Sequence, residues 1–487
     1  MAQRAQRGHA GQGGRPRSAP RRARKADPVR RAAYDVLAAV DERDAYANLL
    51  LPALLRERGI EGRDAALATE LTYGTLRAQQ TYDAVLDLCS DRPAAKIDPP
   101  VREVLRLGVH QLLATRVASH AAVATSVDLA KDVAGMGPSG FVNAVLRRVS
   151  TRDLDGWLAI VAPDRSADPV GYLAAMYSYP RWIVTAFSDA LGEERGGELA
   201  ETEQALAAGN ARPRTTLVAI PGTSSPAELT TPSTPSAPEL TPWSPFGVVL
   251  PGGDPAAIPA VAQGRAFVQD EASQLVALAL ARTPLATEGP WLDLAAGPGG
   301  KAALLAGLAG QADPGTRLVA ADLRPHRAVL TRDHLRRLPG TATIAADGRR
   351  GAWLPGTFAR VLADVPCSGL GALRRRPEAR WRKSPEDVEG LGPLQRDLLT
   401  AAIGSARPGG IIGYVTCSPH QAETEEVVRA VLAGRDDVTV LDAPAVLSAA
   451  VGQTIPGVRR GPDGRYVQLW PHRHGTDALF MALLRKA

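Results

Sequence analysis

The sequence predicts an α/β fold in which an all-helical N-terminal domain precedes a doubly wound, mostly parallel sheet. Two patterns and the length carry this expectation. From Asp27 to Ser150 apolar residues recur at helical spacing, as in Val101, Val104, Leu105, Val109 and Leu112, with no alternating strand pattern between them. After Phe246 short apolar runs alternate with longer helical stretches, the signature of parallel strands joined by crossover helices. With 487 residues, 45% of them hydrophobic, the chain can bury more than one core.

Pro99 and Pro100 fit the first turn of one helix, while Gly137, Pro138 and Gly140 punctuate the approach to another near Phe141. Helical pattern continues from Trp157 to Ala208, and the Pro-, Ser- and Thr-rich stretch from Pro221 to Pro245 reads as a connector. The expected organisation is a basic disordered arm at 1–26, a helical domain at 27–150, a helical connector with a low-complexity linker at 151–245, and the α/β domain at 246–487. Within the last, strands are predicted at Trp291–Leu294, Arg317–Ala321, Ala342–Ala345, Arg360–Ala363 and Ile411–Val415.

Charge and cysteine content narrow the function. The net charge of +6 has a local origin: residues 1–25 hold eight basic residues and no acid, which leaves 49 basic against 51 acidic residues in the remainder. Any nucleic-acid contact by the folded body must therefore rest on local patches. No apolar run is long enough to span a membrane, so no membrane partner is expected. Three scattered cysteines exclude a disulfide framework, and His472 and His474 lack partners at metal-ligand spacing, so no metal site is expected and a reducing cytoplasm is the default.

Ligands bind doubly wound sheets at the carboxyl ends of the strands, and the unusual residues cluster there. The first strand runs into Ala295-Ala296-Gly297-Pro298-Gly299-Gly300-Lys301, a small-residue turn that lets the backbone approach a ligand and opens a helix N-terminus toward it. Pro298 interrupts the dinucleotide fingerprint, which argues against a nicotinamide cofactor. Asp322, Asp347 and Asp364 close the next three strands. Cys367 follows Asp364 within Asp-Val-Pro-Cys-Ser-Gly, and Cys417 lies in Thr-Cys-Ser at the end of the fifth strand. Cys89, in a helical pattern, is expected to be a buried core thiol. A nucleophilic thiol suits one chemistry in particular, because its addition to carbon 6 of a pyrimidine makes carbon 5 able to attack an electrophilic methyl group.

The segments Asp293–Lys301, Asp364–Gly369 and Thr416–Ser418, preceded by Phe267–Ser273, resemble the Sun family of RNA cytosine-5 methyltransferases. Residues 27–150, most plainly Phe141–Arg148, resemble the NusB-type RNA-binding domain. The resemblance implies a Rossmann-like methyltransferase domain, S-adenosyl-L-methionine as cofactor and small-subunit ribosomal RNA as partner. It implies that Ala295–Lys301, Asp322 and Asp347 hold the cofactor, with Asp364 between the cofactor and the target base. It further implies Cys417 as nucleophile and Cys367 in resolving the adduct. Chemistry alone leaves these two roles open. The family's Glu-Asn-Glu becomes Glu423-Thr424-Glu425, and Ala478 stands where the family often has Gly.

Between the cysteine motifs, Arg374, Arg375, Arg376, Arg380, Arg382 and Lys383 face a single acid, Glu378, with Trp381 among them. The arginines are expected to grip RNA phosphates and Trp381 to stack on a base or to pack in the core. His420, shortly after Cys417, reads as a surface residue. The expected protein is a monomer that methylates ribosomal RNA. The alternatives are a noncatalytic RNA-binding or antitermination-like factor and a nucleotide-dependent oxidoreductase; the retained Asp364, Cys367 and Cys417 disfavour the first, and Pro298 with the paired cysteines disfavours the second.

Overall fold

The computed structural model describes residues 26–194, 196–230, 238–286 and 288–487. The basic arm, but for Ala26, and residues 231–237 of the Pro-, Ser- and Thr-rich stretch lie outside them. The chain forms two compact units: one contains the residues up to Ala45, Leu51–Thr75 and Val85–Asp153, and the other Tyr46–Leu50, Leu76–Ala84 and Leu154 onward. Among the described residues no helix is long and apolar enough to cross a membrane.

The N-terminal third is helical, with α1 Pro28–Arg43, α2 Ala47–Glu57, α3 Gly62–Arg77, α4 Gln79–Cys89, α5 Pro99–Ala114, α6 Ser119–Ala134 and α7 Ser139–Val149. The Asp27 carboxylate accepts from the Arg30 N–H, and Pro28 occupies the first turn of α1, where its missing N–H costs nothing. In the first unit α5 is the most enclosed of these helices: Val104, Leu105, Leu107 and Val109 are all fully buried. The buried polar pair beside them is satisfied internally, Arg30 Nε donating to Gln111 Oε1 at 2.6 Å.

In the second unit, α8 Leu154–Val161, α9 Pro169–Tyr177, α10 Arg181–Leu191 and α11 Ala200–Asn210 come first. The last three contribute to a core with Tyr179, Phe187 and Trp470. A four-stranded antiparallel sheet follows, in the order β2-β3-β1-β4, built from β1 Thr215–Ala219, β2 Glu239–Leu240, β3 Gly247–Leu250 and β4 Ala266–Val268. The expected boundary at 245/246 therefore cuts between β2 and β3, which pair directly through Glu239 and Val249. The connector expected at 151–245 lies inside the second unit from Leu154 on. These strands are short and make sense only through pairing with distant residues, as Leu217 does with Val268, so local composition hid them.

A nine-stranded mixed sheet carries the site. Its order is β11-β12-β13-β9-β8-β5-β6-β7, with β10 on β13. Strands β5 Trp291–Asp293, β6 Leu318–Asp322, β7 Thr341–Ala345, β8 Phe358–Asp364 and β9 Ala406–Thr416 are mutually parallel and match the five predicted strands. The C-terminal strands β10 Val438–Val440, β11 Arg459–Arg460, β12 Tyr466–Leu469 and β13 Leu479–Lys486 were not predicted, and they add antiparallel pairing at one side. The helices between parallel strands are α13 Gly300–Ala312, α14 Pro325–Leu335 and α15 Pro385–Ser405, with α12 Glu271–Arg282 before β5. Period-two alternation serves both faces: Leu479, Met481 and Leu483 of β13 join the core that holds α12 and α13, whereas Phe480, Ala482 and Leu484 join the one that holds α15. After β5 the chain winds outward through β6 and β7, then returns to place β8 on the other side of β5. That reversal is a topological switch point, the place where an open α/β sheet leaves a crevice at its carboxyl edge.

Arg360 ties β8 to α12. Its guanidinium is buried and donates to the carbonyls of Leu280 and Thr283 at 2.6 and 2.7 Å and to Glu288 Oε1 at 2.7 Å. A cation near the last turn of α12 also opposes the helix dipole. Arg360→Met should cost about 2–4 kcal/mol, because two enclosed carbonyls lose their donor. Chemical denaturation checks this, and an unchanged midpoint would contradict it.

Candidate active site

At the switch point a cavity of about 580 Å³ opens among the carboxyl ends of β5, β6, β7, β8 and β9. The turn after β5 supplies Ala295 and Gly297, β6 supplies Asp322 and Leu323, and Asp347 follows β7. Asp364 and Cys367 come from the end of β8, and Cys417 from the end of β9. The cavity thus gathers acids and thiols separated by more than 90 residues in the chain.

The glycine turn is shaped by close approach. A Cβ on Gly297 would lie 2.3 Å from Asp322 Oδ2, and Gly299 has φ +110° with Thr331 Cα 2.9 Å from where its Cβ would be. Asp322 receives the Gly297 N–H at 3.1 Å and the Arg324 N–H at 2.8 Å, which locks the turn to the start of α14. Arg327 donates back to the Gly297 carbonyl at 2.5 Å. Within the turn Ala296 and Gly299 are buried, Gly300 is half-buried and Pro298 is exposed, so Ala295 and Gly297 are the members that line the cavity. Asp347 pairs with Arg349 at 2.7 Å and is held below the usual carboxylate range by that hydrogen bond.

Lys301, on the first turn of α13, reaches across to Asp364 Oδ2 at 2.8 Å. Burial opposes its charge, but the Asp364 charge and hydrogen bond prevail and raise its pKa. Beside this pair lies Asp293, 1% exposed, and neither of its carboxyl oxygens makes a hydrogen bond. Burial, then the Asp364 charge, push Asp293 up to about 8, with the Lys301 charge opposing without reversing the shift. A carboxyl group left without a partner at this depth is a costly arrangement unless something else meets it.

The two thiols meet: Cys367 Sγ and Cys417 Sγ are 3.2 Å apart. The hydrogen bond from Cys367 lowers the Cys417 pKa, and the nearby Lys301 ammonium adds to this against burial and the Asp364 charge. Cys367 is held well above its ordinary value by the same hydrogen bond and by burial. One proton shared between two sulfurs therefore favours the thiolate on Cys417. Cys89 is buried at the end of α4 and takes no part. His420, expected at the surface, is half-buried, accepts the Ala422 N–H at its Nδ1 at 3.2 Å and is not among the residues that line the cavity.

The basic loop divides in two. Arg374 and Arg375 are occupied inside the protein, donating to Asp270 at 3.0 and 2.7 Å and to Asp477 at 2.5 and 2.8 Å. Arg380 is fully buried, stacks 3.6 Å above the Tyr179 ring and donates to Tyr179 Oη at 2.8 Å. These three were expected at phosphates, and the structure corrects that: Arg374 and Arg375 are held by the Asp270 and Asp477 carboxylates, and Arg380 is enclosed away from any phosphate. Arg376 and Lys383 do line the cavity. The aromatic residue at its wall is Tyr46, 45% exposed, with the Arg376 and Arg382 guanidiniums 5.4 and 5.5 Å from its ring. Trp381, expected to stack on a base or pack inside, is half-buried with its indole N–H enclosed, and it is not part of the cavity wall. Tyr46 lies more than 300 residues from the basic loop, so nothing in the sequence linked them. Asp293 was visible within the motif, but its enclosure was not.

The raised carboxyl has a consequence for stability. Folded Asp293 keeps its proton up to about pH 8 while the unfolded chain loses it near the model-peptide value of about 4, so folding stability falls as pH rises between those limits. Asp293→Asn should flatten that fall and stabilise the protein most above pH 8, measured by urea denaturation across the range without added cofactor. Parallel pH profiles for the two proteins would contradict it.

Comparison with known proteins agrees with the site. The profile of the 16S rRNA methyltransferase RsmB/F family matches residues 278–485, and that of the NusB family matches residues 27–151. A putative methyltransferase of Mycobacterium tuberculosis is 50% identical over 472 residues, covering 97% of this chain and 99% of its own. A probable ribosomal RNA small subunit methyltransferase B of Synechocystis is 32% identical, covering 94% of this chain and 99% of its own. The crystal structure of PH0851 superposes with a TM-score of 0.75 over 94% of this chain and 98% of its own, at 21% identity, a likeness of fold. Family profile, relatives and strand-end chemistry converge, and the chain belongs to the 16S rRNA methyltransferase RsmB/F family, joined to a NusB-family domain.

Proposed function

We propose that this protein transfers a methyl group from S-adenosyl-L-methionine to carbon 5 of a cytosine in small-subunit ribosomal RNA, through a covalent bond between Cys417 and carbon 6. The observation that carries the proposal is the thiol pair, 3.2 Å apart, in one cavity with Asp364, whose carboxylate accepts from Lys301 at 2.8 Å. An RNA-binding scaffold without chemistry has no use for a thiol held below its ordinary pKa.

The residues fit the cofactor. Ala295 and Gly297 line the cavity with little or no side chain, Asp322 and Asp347 offer carboxylate acceptors suited to hydroxyl and amino donors, and Asp293 is an unmatched carboxyl group beneath the turn. Bound there, S-adenosylmethionine supplies an electrophilic methyl group. Cys417 adds its sulfur to carbon 6, and the displaced electron pair makes carbon 5 nucleophilic. Lys301 and Asp364 hold charge of both signs beside the ring, where a carboxyl group can hydrogen-bond the cytosine. After carbon 5 has gained the methyl group, it loses its proton to a base as the sulfur–carbon pair returns to Cys417. Cys367 is placed for that step once its own proton has passed to solvent: with Cys417 bonded to carbon 6, the thiolate that held that proton is gone, and the Cys367 thiolate then takes the carbon 5 proton.

Arg376, Arg382, Lys383 and Tyr46 form the RNA-facing rim in this proposal, with the helical N-terminal domain adding affinity and positioning. Arg376→Ala should lower the salt slope of RNA association by about one contact, while Arg380→Ala should instead lower the unfolding midpoint. Filter binding of a 16S transcript at several salt concentrations, with denaturation curves for both, would detect the reverse pattern.

The cysteine roles make an asymmetric test. Cys417→Ala should abolish methyl transfer, keep cofactor affinity and form no covalent adduct, whereas Cys367→Ala should accumulate a protein–RNA adduct on a denaturing gel. An adduct with Cys417→Ala alone would reverse the two assignments.

A further inference from the structure

Cys367 is held by its neighbours in the chain more than by its own side chain. Ser368, the next residue, donates its N–H to Glu423 Oε1 at 2.7 Å and its hydroxyl to Glu423 Oε2. The preceding residue, Pro366, offers its carbonyl to Gln395 Nε2 at 2.9 Å, and the same amide donates to Glu423 Oε1 at 3.2 Å. The backbone on both sides of the thiol is thus clamped to one carboxylate and one amide. Glu423 and Gln395 are both fully buried, and Glu423 itself sits in the single turn Gln421–Glu423 that follows the Cys417 strand end. Its own carbonyl accepts Tyr414 Oη at 2.8 Å, which ties this turn back to β9. Ser368 Oγ and Ser418 Oγ, each adjacent to one of the cysteines, are 3.3 Å apart.

A carboxylate at zero exposure is expensive, and no salt bridge to a basic side chain compensates Glu423 among the described residues. Three N–H and O–H donors meet it instead, and two of them belong to the residue after Cys367. A buried charge maintained by one loop's donors makes that loop's position well defined, because any displacement leaves the charge unsolvated. The loop so fixed is the one whose sulfur must lie beside Cys417.

We propose that Glu423, with Gln395, is a positioning residue that holds the Cys367 loop at the Cys417 sulfur, so that its loss stalls the reaction after the covalent adduct has formed. This rests on the assignment of Cys417 to attack and Cys367 to resolution. Glu423 touches neither thiol and acts through Ser368.

The test uses the full chain, S-adenosylmethionine and a 16S rRNA transcript, with Cys367→Ala and Cys417→Ala in parallel. Glu423→Ala should leave cofactor affinity unchanged, lower turnover by about 100-fold through misplacement of the thiol, and accumulate the same adduct as Cys367→Ala. Glu423→Gln should recover most of the turnover: its amide oxygen still accepts from Ser368 N–H, and its NH₂ can donate to a Ser368 hydroxyl turned toward Ser418. If Glu423→Ala does not fold, Ser368→Ala, which keeps the backbone N–H bond, should show a weaker form of the same accumulation. Folded variants that lose turnover without an adduct, while Cys367→Ala traps one, would reduce Glu423 to a structural residue and overturn the inference alone. No adduct with Cys367→Ala, or an adduct with Cys417→Ala, would overturn the cysteine assignment and the inference with it.

Discussion

The parallel pairing of β8 with β9, in register with Asp364 opposite Val415, is the constraint on which the site depends. Because both strands run the same way, their carboxyl ends emerge side by side, and the loops that follow carry Cys367 and Cys417 to within 3.2 Å. An antiparallel neighbour would have placed those ends at opposite edges of the sheet. The next strand on the other side of β9 is in fact antiparallel, β13, so the row of acid-bearing strand ends stops at β9 and the chemistry is confined to one end of the crevice.

Charge beside the thiols is arranged around the Lys301 ammonium group. Lys301 lies against Asp364 at 2.8 Å and close enough to Cys417 to favour its thiolate, while Asp293, lacking any hydrogen bond, is pushed toward the neutral acid. Buried carboxyls near one another cannot all ionise cheaply, and here the one with the ammonium partner takes the charge. The second thiol completes the balance by donating to the first. Behind the thiols, Glu423 is a buried carboxylate met by the Ser368 N–H and hydroxyl of the Cys367 loop and by the Gln395 amide. The cavity therefore sits on a polar base whose satisfaction depends on loop geometry, which explains how a fold built from ordinary aliphatic layers can define positions at its edge.

Much of this was legible in advance for physical reasons. Five short apolar runs ended within two residues of Asp293, Asp322, Asp347, Asp364 and Cys417, and strand-end placement follows from topology alone. The same holds for the glycine turn, where Gly297 and Gly299 are required by contacts at 2.3 and 2.9 Å. What stayed hidden depended on distant pairing. A run of six basic residues looks the same whether its guanidiniums face water or acids, and only the fold brings Asp270 and Asp477 to Arg374 and Arg375, and Tyr179 to Arg380. Tyr46 was unmarked, and Glu423 was noted only within the triplet Glu423-Thr424-Glu425, because the contacts of both exist only in three dimensions. The strands β1 to β4 and β10 to β13 were missed because most are short and each is defined by its partner rather than by its own composition.

The central claim is that Cys417, not Cys367, forms the bond to the pyrimidine, and a mechanism-based trap tests it most directly. A 16S transcript containing 5-fluorocytidine lets the thiolate add and the methyl group transfer but blocks elimination, since fluorine cannot leave carbon 5 as a proton does. After incubation of the unaltered protein with this RNA and S-adenosylmethionine, proteolysis and mass spectrometry of the RNA-linked peptide identify the bonded residue. The account expects the nucleotide on the peptide that contains Cys417; a nucleotide on the Cys367 peptide would contradict it.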